Sequence, residues 1–341
     1  MLLPLLPFAA VLYKSLPLRA TFACNVQQRE VPAARIPSPY EQCSPQAADD
    51  YAKQLTAYES TTCPSEKWYW IWQSTLSMQD FVYMEVGCNK GTDAVLNLRA
   101  FTAAEEVSIE KWQSTINMSN YVCAFDEDRW RTVSQRRTRA TNNYKHFCIE
   151  AAAENVNPVS AAADVLGYRE LGLIVHHAAV SSSSMPSTVK FPVIPPGGES
   201  VGIDTDHSTF TEFSEVRVVT VDGFVAENGI NRVDVLKIDT EGNDPLVIIG
   251  STNTLAHFKP SYVQFENHGV GRWATFQLKD VIDLLDSLSY ECFWATDTGK
   301  LFRITSCWSG YYMQMKNWSN VACHHRSDLA LGKVMKEFVW R

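Results

Sequence analysis

The nine residues Asp234-Val-Leu-Lys-Ile-Asp-Thr-Glu-Gly242 constrain the fold of this chain more than any other stretch, because an apolar strand runs directly into two carboxylates and a glycine. Strands buried in a parallel sheet read as near-continuous apolar runs, and ligands bind outside their carboxyl ends. Side chains alternate along a strand, so Lys237, Asp239 and Glu241 project to one side while Leu236 and Ile238 pack on the other. Three charges then meet at one crevice. A second stretch, Phe81-Val-Tyr-Met-Glu-Val-Gly-Cys-Asn-Lys-Gly91, joins a strand to a glycine turn. That is the arrangement expected where an open sheet binds a nucleotide-like ligand at its topological switch point.

The rest of the chain alternates strands and helices, the pattern of an α/β, Rossmann-like doubly wound sheet. Residues 81–86 form the first strand and 92–99 the helix after the glycine turn. Residues 100–143 read as a partly helical insertion, after which Lys145-His-Phe-Cys-Ile-Glu150 supplies strand two and a helix follows to about 166. Residues 171–180 are strand three, and 187–221, containing Pro195-Pro-Gly-Gly198, a hairpin excursion. Residues 233–239 are strand four, with a helix after Pro245, and 261–266 strand five. A helix at 278–288 precedes a closing strand pair at 291–294 and 301–305. The domain reading is a targeting segment over 1–23, a Cys- and Pro-containing extension over 24–65, the main domain over 66–310 and a tail over 311–341. The extension, with Cys24, Cys43 and Cys63, reads as a stalk or surface wrap.

A chain of 341 residues with 45% hydrophobic and 20% charged residues can bury a sizeable core. Its net charge of -8 excludes an electrostatic nucleic-acid surface. The one basic run, with Arg129, Arg131, Arg136, Arg137 and Arg139, follows Asp126-Glu127-Asp128 and reads as a solvated, salt-bridged loop. Nine cysteines and sequons at Asn117 and Asn317 point to the secretory pathway lumen or to secretion, where disulfides form and glycans are added. Cys307 and Cys323 flank the second sequon and are expected to pair; Cys88, in the glycine turn, is the candidate for the thiol that an odd count leaves free. The apolar start over 1–13 is shorter than the roughly 18 residues a membrane span needs, so no stable span is predicted. It resembles a signal-peptide core, with Thr21 and Ala23 before a cleavage at Cys24, although no basic residue precedes it. An acid-free start carrying Lys14 and Arg19 also fits an organellar transit peptide.

The glycine turn and the ends of strands two and three assemble a candidate cofactor site. Gly87 and Gly91, on either side of Asn89, let the backbone approach a ligand where a Cβ would obstruct it. Glu85 suits an ammonium group or the ordering of the loop. Glu150 is placed to accept hydrogen bonds from ribose hydroxyls; the other reading is a solvated helix start. Ala178 and Ala179 are small enough to pass an adenine edge or to allow tight helix packing.

Glu85-Val-Gly-Cys-Asn-Lys-Gly91, Cys148-Ile-Glu150, Ala178-Ala-Val-Ser181, the 234–242 segment and Glu266 stand in an order and spacing that resemble the FkbM family of S-adenosylmethionine-dependent methyltransferases, over roughly residues 80–305. Lys-Ile-Asp-x-Glu-Gly is the specific part. The resemblance implies the class I methyltransferase sheet, S-adenosylmethionine as cofactor, and methyl transfer, usually to a hydroxyl oxygen of a sugar or natural product. It therefore implies a glycan or other polyhydroxylated small molecule as acceptor. Two departures stand out: Cys88 occupies a position where family members commonly carry a small residue, and the insertion before Glu150 is long. The insertion is read as a cap on the acceptor cleft.

Methyl transfer from a sulfonium is an in-line displacement, so catalysis consists of holding an acceptor oxygen near the methyl carbon and removing its proton. Asp239, Glu241 and His268 are the candidate bases, with Lys237 as a charge that keeps a carboxylate ionised. On strand five Gln264, Glu266 and His268 share a face, which aims Glu266 and His268 at the acceptor crevice. His268 is either a base suited to neutral pH or a surface residue of its glycine-containing loop. Asp239 and Glu241 are otherwise a buried ion pair with Lys237. No metal is assigned, and the same carboxylates with His268 could hold a hard cation. Two other classes compete. Asp204-Thr-Asp206 is the kind of motif that binds a metal and a nucleotide-sugar diphosphate in secretory-pathway glycosyltransferases, here without a matching nucleotide fold around it. Trp308, Tyr311, Tyr312 and Trp318 would serve a non-catalytic glycan-binding protein by stacking on sugar rings, or else they pack around the tail. The sequence assigns no oligomeric state.

Overall fold

The computed structural model describes residues 34–77, 80–118 and 143–340. The targeting segment, Cys24, Cys123, the arginine run and most of the insertion lie outside the described residues. In chain order the described strands are β1 (Asp80–Val86), β2 (Asn143–Glu150), β3 (Leu173–His177), β4 (Ala179–Val180), β5 (Thr188–Pro192), β6 (Phe213–Val219), β7 (Val235–Ile238), β8 (Tyr262–Asn267), β9 (Tyr290–Ala295), β10 (Leu301–Arg303) and β11 (Ser319–His325).

Eight of them form one mixed sheet in the order β10-β9-β11-β8-β7-β1-β2-β3. Pairing is parallel from β8 through β7, β1 and β2 to β3, while β11 runs antiparallel to both β8 and β9. This is the Rossmann-like methyltransferase sheet. The alternation of the strands splits the core in two. Val82, Met84 and Val86 pack on one face with Leu236, Ile238, Val263 and Phe265, and Phe81 and Tyr83 pack on the other with Val235 and Tyr262. Helices cover both faces. The helix Leu278–Ser287 buries Leu278, Val281, Ile282 and Leu285, the stripe one face of a 3.6-residue helix presents. The chain leaves β1 outward through β2 and β3 and returns on the other side as β7, so the topological switch falls between β1 and β7, with Tyr83↔Val235 to Val86↔Ile238 in register.

Several expectations are corrected. The single third strand over 171–180 is two: β3 ends at His177, and β4 pairs with β6 in a separate three-stranded sheet with β5. The residues read as a C-terminal tail supply β11, all seven of whose residues are buried inside the large sheet. The extension contains the helix Pro45–Tyr58, N-capped by Ser44, and is bonded to the far end of the chain by Cys43–Cys307. Cys323 pairs with Cys292 rather than Cys307, and Cys88 is not free but bonded to Cys148. These pairings depend on strand register and on the position of β11, neither of which sequence spacing reveals. No helix among the described residues is long and apolar enough to cross a membrane.

Candidate active site

A cleft of about 570 Å³ opens at the carboxyl ends of β1, β2 and β7. Its depth is set by a close backbone crossing. Gly87, at φ +83°, ends β1 so near the end of β7 that a Cβ there would sit 1.7 Å from the Asp239 carbonyl oxygen. Only glycine fits that approach. Asn89 takes a left-handed φ of +44°, its amide donates to Glu150 Oε2 at 2.9 Å and its side chain donates to the Gly198 carbonyl at 2.9 Å. The other Glu150 oxygen accepts from the Ala152 amide at 2.8 Å. Burial raises the Glu150 pKa, and the two amides oppose the shift. Cys148, two residues before Glu150, carries the disulfide to Cys88, so the turn is tied to β2 by a covalent bond and a carboxylate at once. Ala178 and Ala179 are buried and line the same cleft.

One face of the sheet carries the charges. Glu85 and Lys237 are opposite each other across β1 and β7, and Gln264 is opposite Lys237 on β8. Glu85 is buried, lying 2.9 Å from His146 Nε2 and 3.7 Å from Lys237 Nζ, and Lys237 is also ion-paired with Asp93. Burial works against the Lys237 charge, but Asp93, Glu85 and Asp239 outweigh it and lift its pKa well above the usual lysine range.

Beyond Lys237 four carboxylates crowd together. Burial pushes Asp239 up to about 6 against the pull of Lys237, with the neighbouring Glu266 carboxyl easing the shift slightly. Glu241 is raised to about 8 by burial and by the Asp239 charge, and Asp244 to about 7 by the same two causes. Burial and then the three neighbouring acids hold Glu266 well above the carboxylate range. Glu241 sits at a left-handed φ of +52°, a conformation that non-glycine residues keep only where the surroundings enforce it. Its two oxygens accept from the Ser200 amide at 3.0 Å and from Trp318 Nε1 at 3.3 Å. Asp244 accepts from Thr240 Oγ1 at 2.8 Å and from the Glu266 amide at 3.1 Å, fixing the end of β8 against the turn after β7.

His268 is fully buried and not a surface loop residue. Its ring stacks on Trp318 with centroids 4.8 Å apart, and burial, then Lys316, depress its pKa to about 4. Side-chain atoms of Glu241, Glu266 and His268 lie within 4.8 Å of one another, and these are the described residues that could hold a metal ion. The Val270 amide donates to His268 Nδ1 at 3.3 Å. The neutral ring therefore carries its proton on Nε2 and presents a donor there, so a cation would rest on the two carboxylates.

A family model described as the methyltransferase FkbM domain matches residues 87–292, more than half of the chain. The chain belongs to the FkbM methyltransferase family. No curated protein matches it. The FkbM domain contains the glycine turn, Glu150, both alanines and the carboxylate cluster, with Glu85 just before it. The cleft, however, is completed from outside that span by residues 62–66, at the end of the extension and the start of the main domain, and by Trp318 and Asn320 of the C-terminal region.

The motifs behind the competing readings take structural partners. Asp204 is held by Arg272 through contacts of 2.6 and 2.9 Å, and Asp206 accepts from the Ser208 amide in a turn. Neither lines the cleft. Of the four aromatics, Tyr312 is buried against Trp294 and Trp308, Lys279 lies over Trp308, Tyr311 is exposed, and Trp318 alone of the four lines the cleft. Asp244, Asp93 and Asn320 were not singled out from sequence. For Asp244 the signal was present, an acid immediately before Pro245 and two residues after Gly242.

Proposed function

We propose that this protein is an S-adenosylmethionine-dependent O-methyltransferase acting on a hydroxyl of a glycan or other polyhydroxylated small molecule. The observation that carries this reading is the joining, in one cleft, of a backbone cradle that a Cβ would fill at Gly87 with a partly buried carboxylate pair, Asp239 and Glu266. The residues fit the cofactor. Glu150, anchored by two amides, faces the cleft where ribose hydroxyls would lie, Glu85 lies where the methionine ammonium would lie, and the small Ala178 and Ala179 leave room for the base. S-adenosylmethionine, when bound, would supply a methyl group on a sulfonium. Asp239 would take the proton of the acceptor hydroxyl, and Glu266 beside it would hold that hydroxyl in place. Lys237 compensates the charge that Asp239 carries when ionised. His268 is buried and does not line the cleft, contrary to its expected place at the acceptor crevice, and it is not assigned the base.

Three disulfides among the described residues support folding in an oxidising lumen or outside the cell. The test is calorimetric titration with S-adenosylmethionine and S-adenosylhomocysteine. The expected result is a Kd on the order of 10 μM or tighter, weakened at least about tenfold by Glu150→Ala. No binding to folded protein rejects the reading.

A further inference from the structure

We infer that the acceptor is an uncharged sugar ring or similar polyol, seated against a wall of the cleft that Trp318, Asn320 and residues 62–66 build outside the FkbM span. The inference rests on the methyltransferase reading and adds to it the neutrality of the acceptor and the residues that select it.

The wall is one preformed unit. The Asn320 side chain donates to the carbonyls of Thr61 and Thr62 at 3.3 and 3.1 Å, Thr62 Oγ1 donates to the Trp318 carbonyl at 3.1 Å, and the Cys63 amide donates to Asp297 at 2.8 Å. Gln264 in turn donates to Asn320 Oδ1 at 3.1 Å, joining the wall to the sheet beneath the carboxylates. Within it Trp318 is fixed twice, by stacking on His268 and by its indole hydrogen bond to Glu241. A rigid aromatic side chain flanked by carboxyl groups matches the two-sided chemistry of a sugar, whose C–H face packs on a ring while its hydroxyl edge donates to carboxylate oxygens.

The charge of the cleft excludes an anionic acceptor. Nine carboxylic side chains line it against two lysines. Both lysines are engaged, Lys90 with Glu199 and Lys237 with Asp93 and Glu85. A phosphate or carboxylate on the acceptor would enter against that field with no cation to receive it. An amine is disfavoured for a different reason. The carboxylates an ammonium would seek are already engaged: Glu241 accepts from the Ser200 amide and from Trp318 Nε1, Glu199 pairs with Lys90, and Glu85 and Asp93 pair with Lys237.

The test uses the full chain and three groups of probes: neutral methyl glycosides of hexoses, glucuronic acid with glucose 6-phosphate, and glucosamine. Binding is read by saturation-transfer NMR with and without S-adenosylhomocysteine. Cofactor affinity is measured separately, so that loss of the methyltransferase reading and loss of this one are seen independently. Saturation transfer to neutral glycosides and none to the anionic probes is expected. Trp318→Ala should weaken neutral-glycoside binding at least about fivefold, Trp318→Phe should restore part of it, and both should leave S-adenosylhomocysteine affinity within twofold of the parent. Unchanged cofactor affinity also reports that the variants fold. Preference for the anionic or amino probes, absence of binding by every glycoside, or indifference to Trp318→Ala overturns the inference.

Discussion

Asp239 is the residue on which the chemistry turns, and its surroundings fix how it behaves with pH. Partly buried beside Glu266, it is raised to about 6 by desolvation although Lys237 draws it down, and so stands well above a free aspartate. A base must be ionised to accept a proton, so kcat/KM is expected to fall about tenfold per pH unit below about 6 and to level off above it. Asp239→Asn should cost at least about 100-fold in kcat while S-adenosylhomocysteine still binds. A flat profile across pH 5–7 would remove Asp239 from the role. That Lys237 points away from Leu236 and Ile238 was legible in the sequence because strand alternation is a local rule, but β7 ends at Ile238 and Glu241 reaches the cleft from a left-handed turn that alternation does not describe. The burial of His268 was not legible, because it comes from Trp318, fifty residues later and just before β11.

Among the elements, the turn after β1 is the one the structure reinforces most. Its glycine cannot be replaced without colliding with the backbone just after β7, Asn89 holds a left-handed backbone, and Cys88–Cys148 joins positions 60 apart in the sequence. A bond closing a loop of that length contributes about 2–4 kcal/mol. Replacing both cysteines by serine should lower the unfolding free energy by that amount and weaken cofactor binding, because Glu150 then holds the turn alone. Denaturant titration and calorimetry on the double variant check both halves; intact affinity would show that the carboxylate suffices. The parallel strands and the helix Leu278–Ser287 were readable from apolar runs and helical periodicity. β11 was not. Ser-Asn-Val-Ala-Cys-His-His carries little apolar signal, and it is a central strand only because β8 and β9 hydrogen-bond it from both sides.

For the molecule as a whole, two sets of buried groups pull stability in opposite directions with pH. His268, His324 and His325 are each depressed to about 4, chiefly by burial. Below about 6.5 the unfolded chain takes up protons at these rings that the folded protein does not, so they lower stability as pH falls from 6.5 toward 4. Asp239, Asp244 and Glu241 are raised to about 6, 7 and 8. The folded protein retains protons that the unfolded chain releases near pH 4, so these groups lower stability as pH rises toward 8. Between 4 and 6.5 the two sets oppose each other. Above 6.5 the unfolded histidines lose their remaining protons, so their effect fades and the carboxylates dominate. Stability of the ligand-free protein should therefore decline between pH 6.5 and 8, by on the order of 1–2 kcal/mol, most of it through Glu241 and Asp244. Thermal or urea unfolding across that range measures the decline, and Glu241→Gln should flatten it, since an amide carries the shape of the protonated acid without its titration. A slope unchanged in that variant would mean that the crowding of acids at the cleft is relieved in solution by another route.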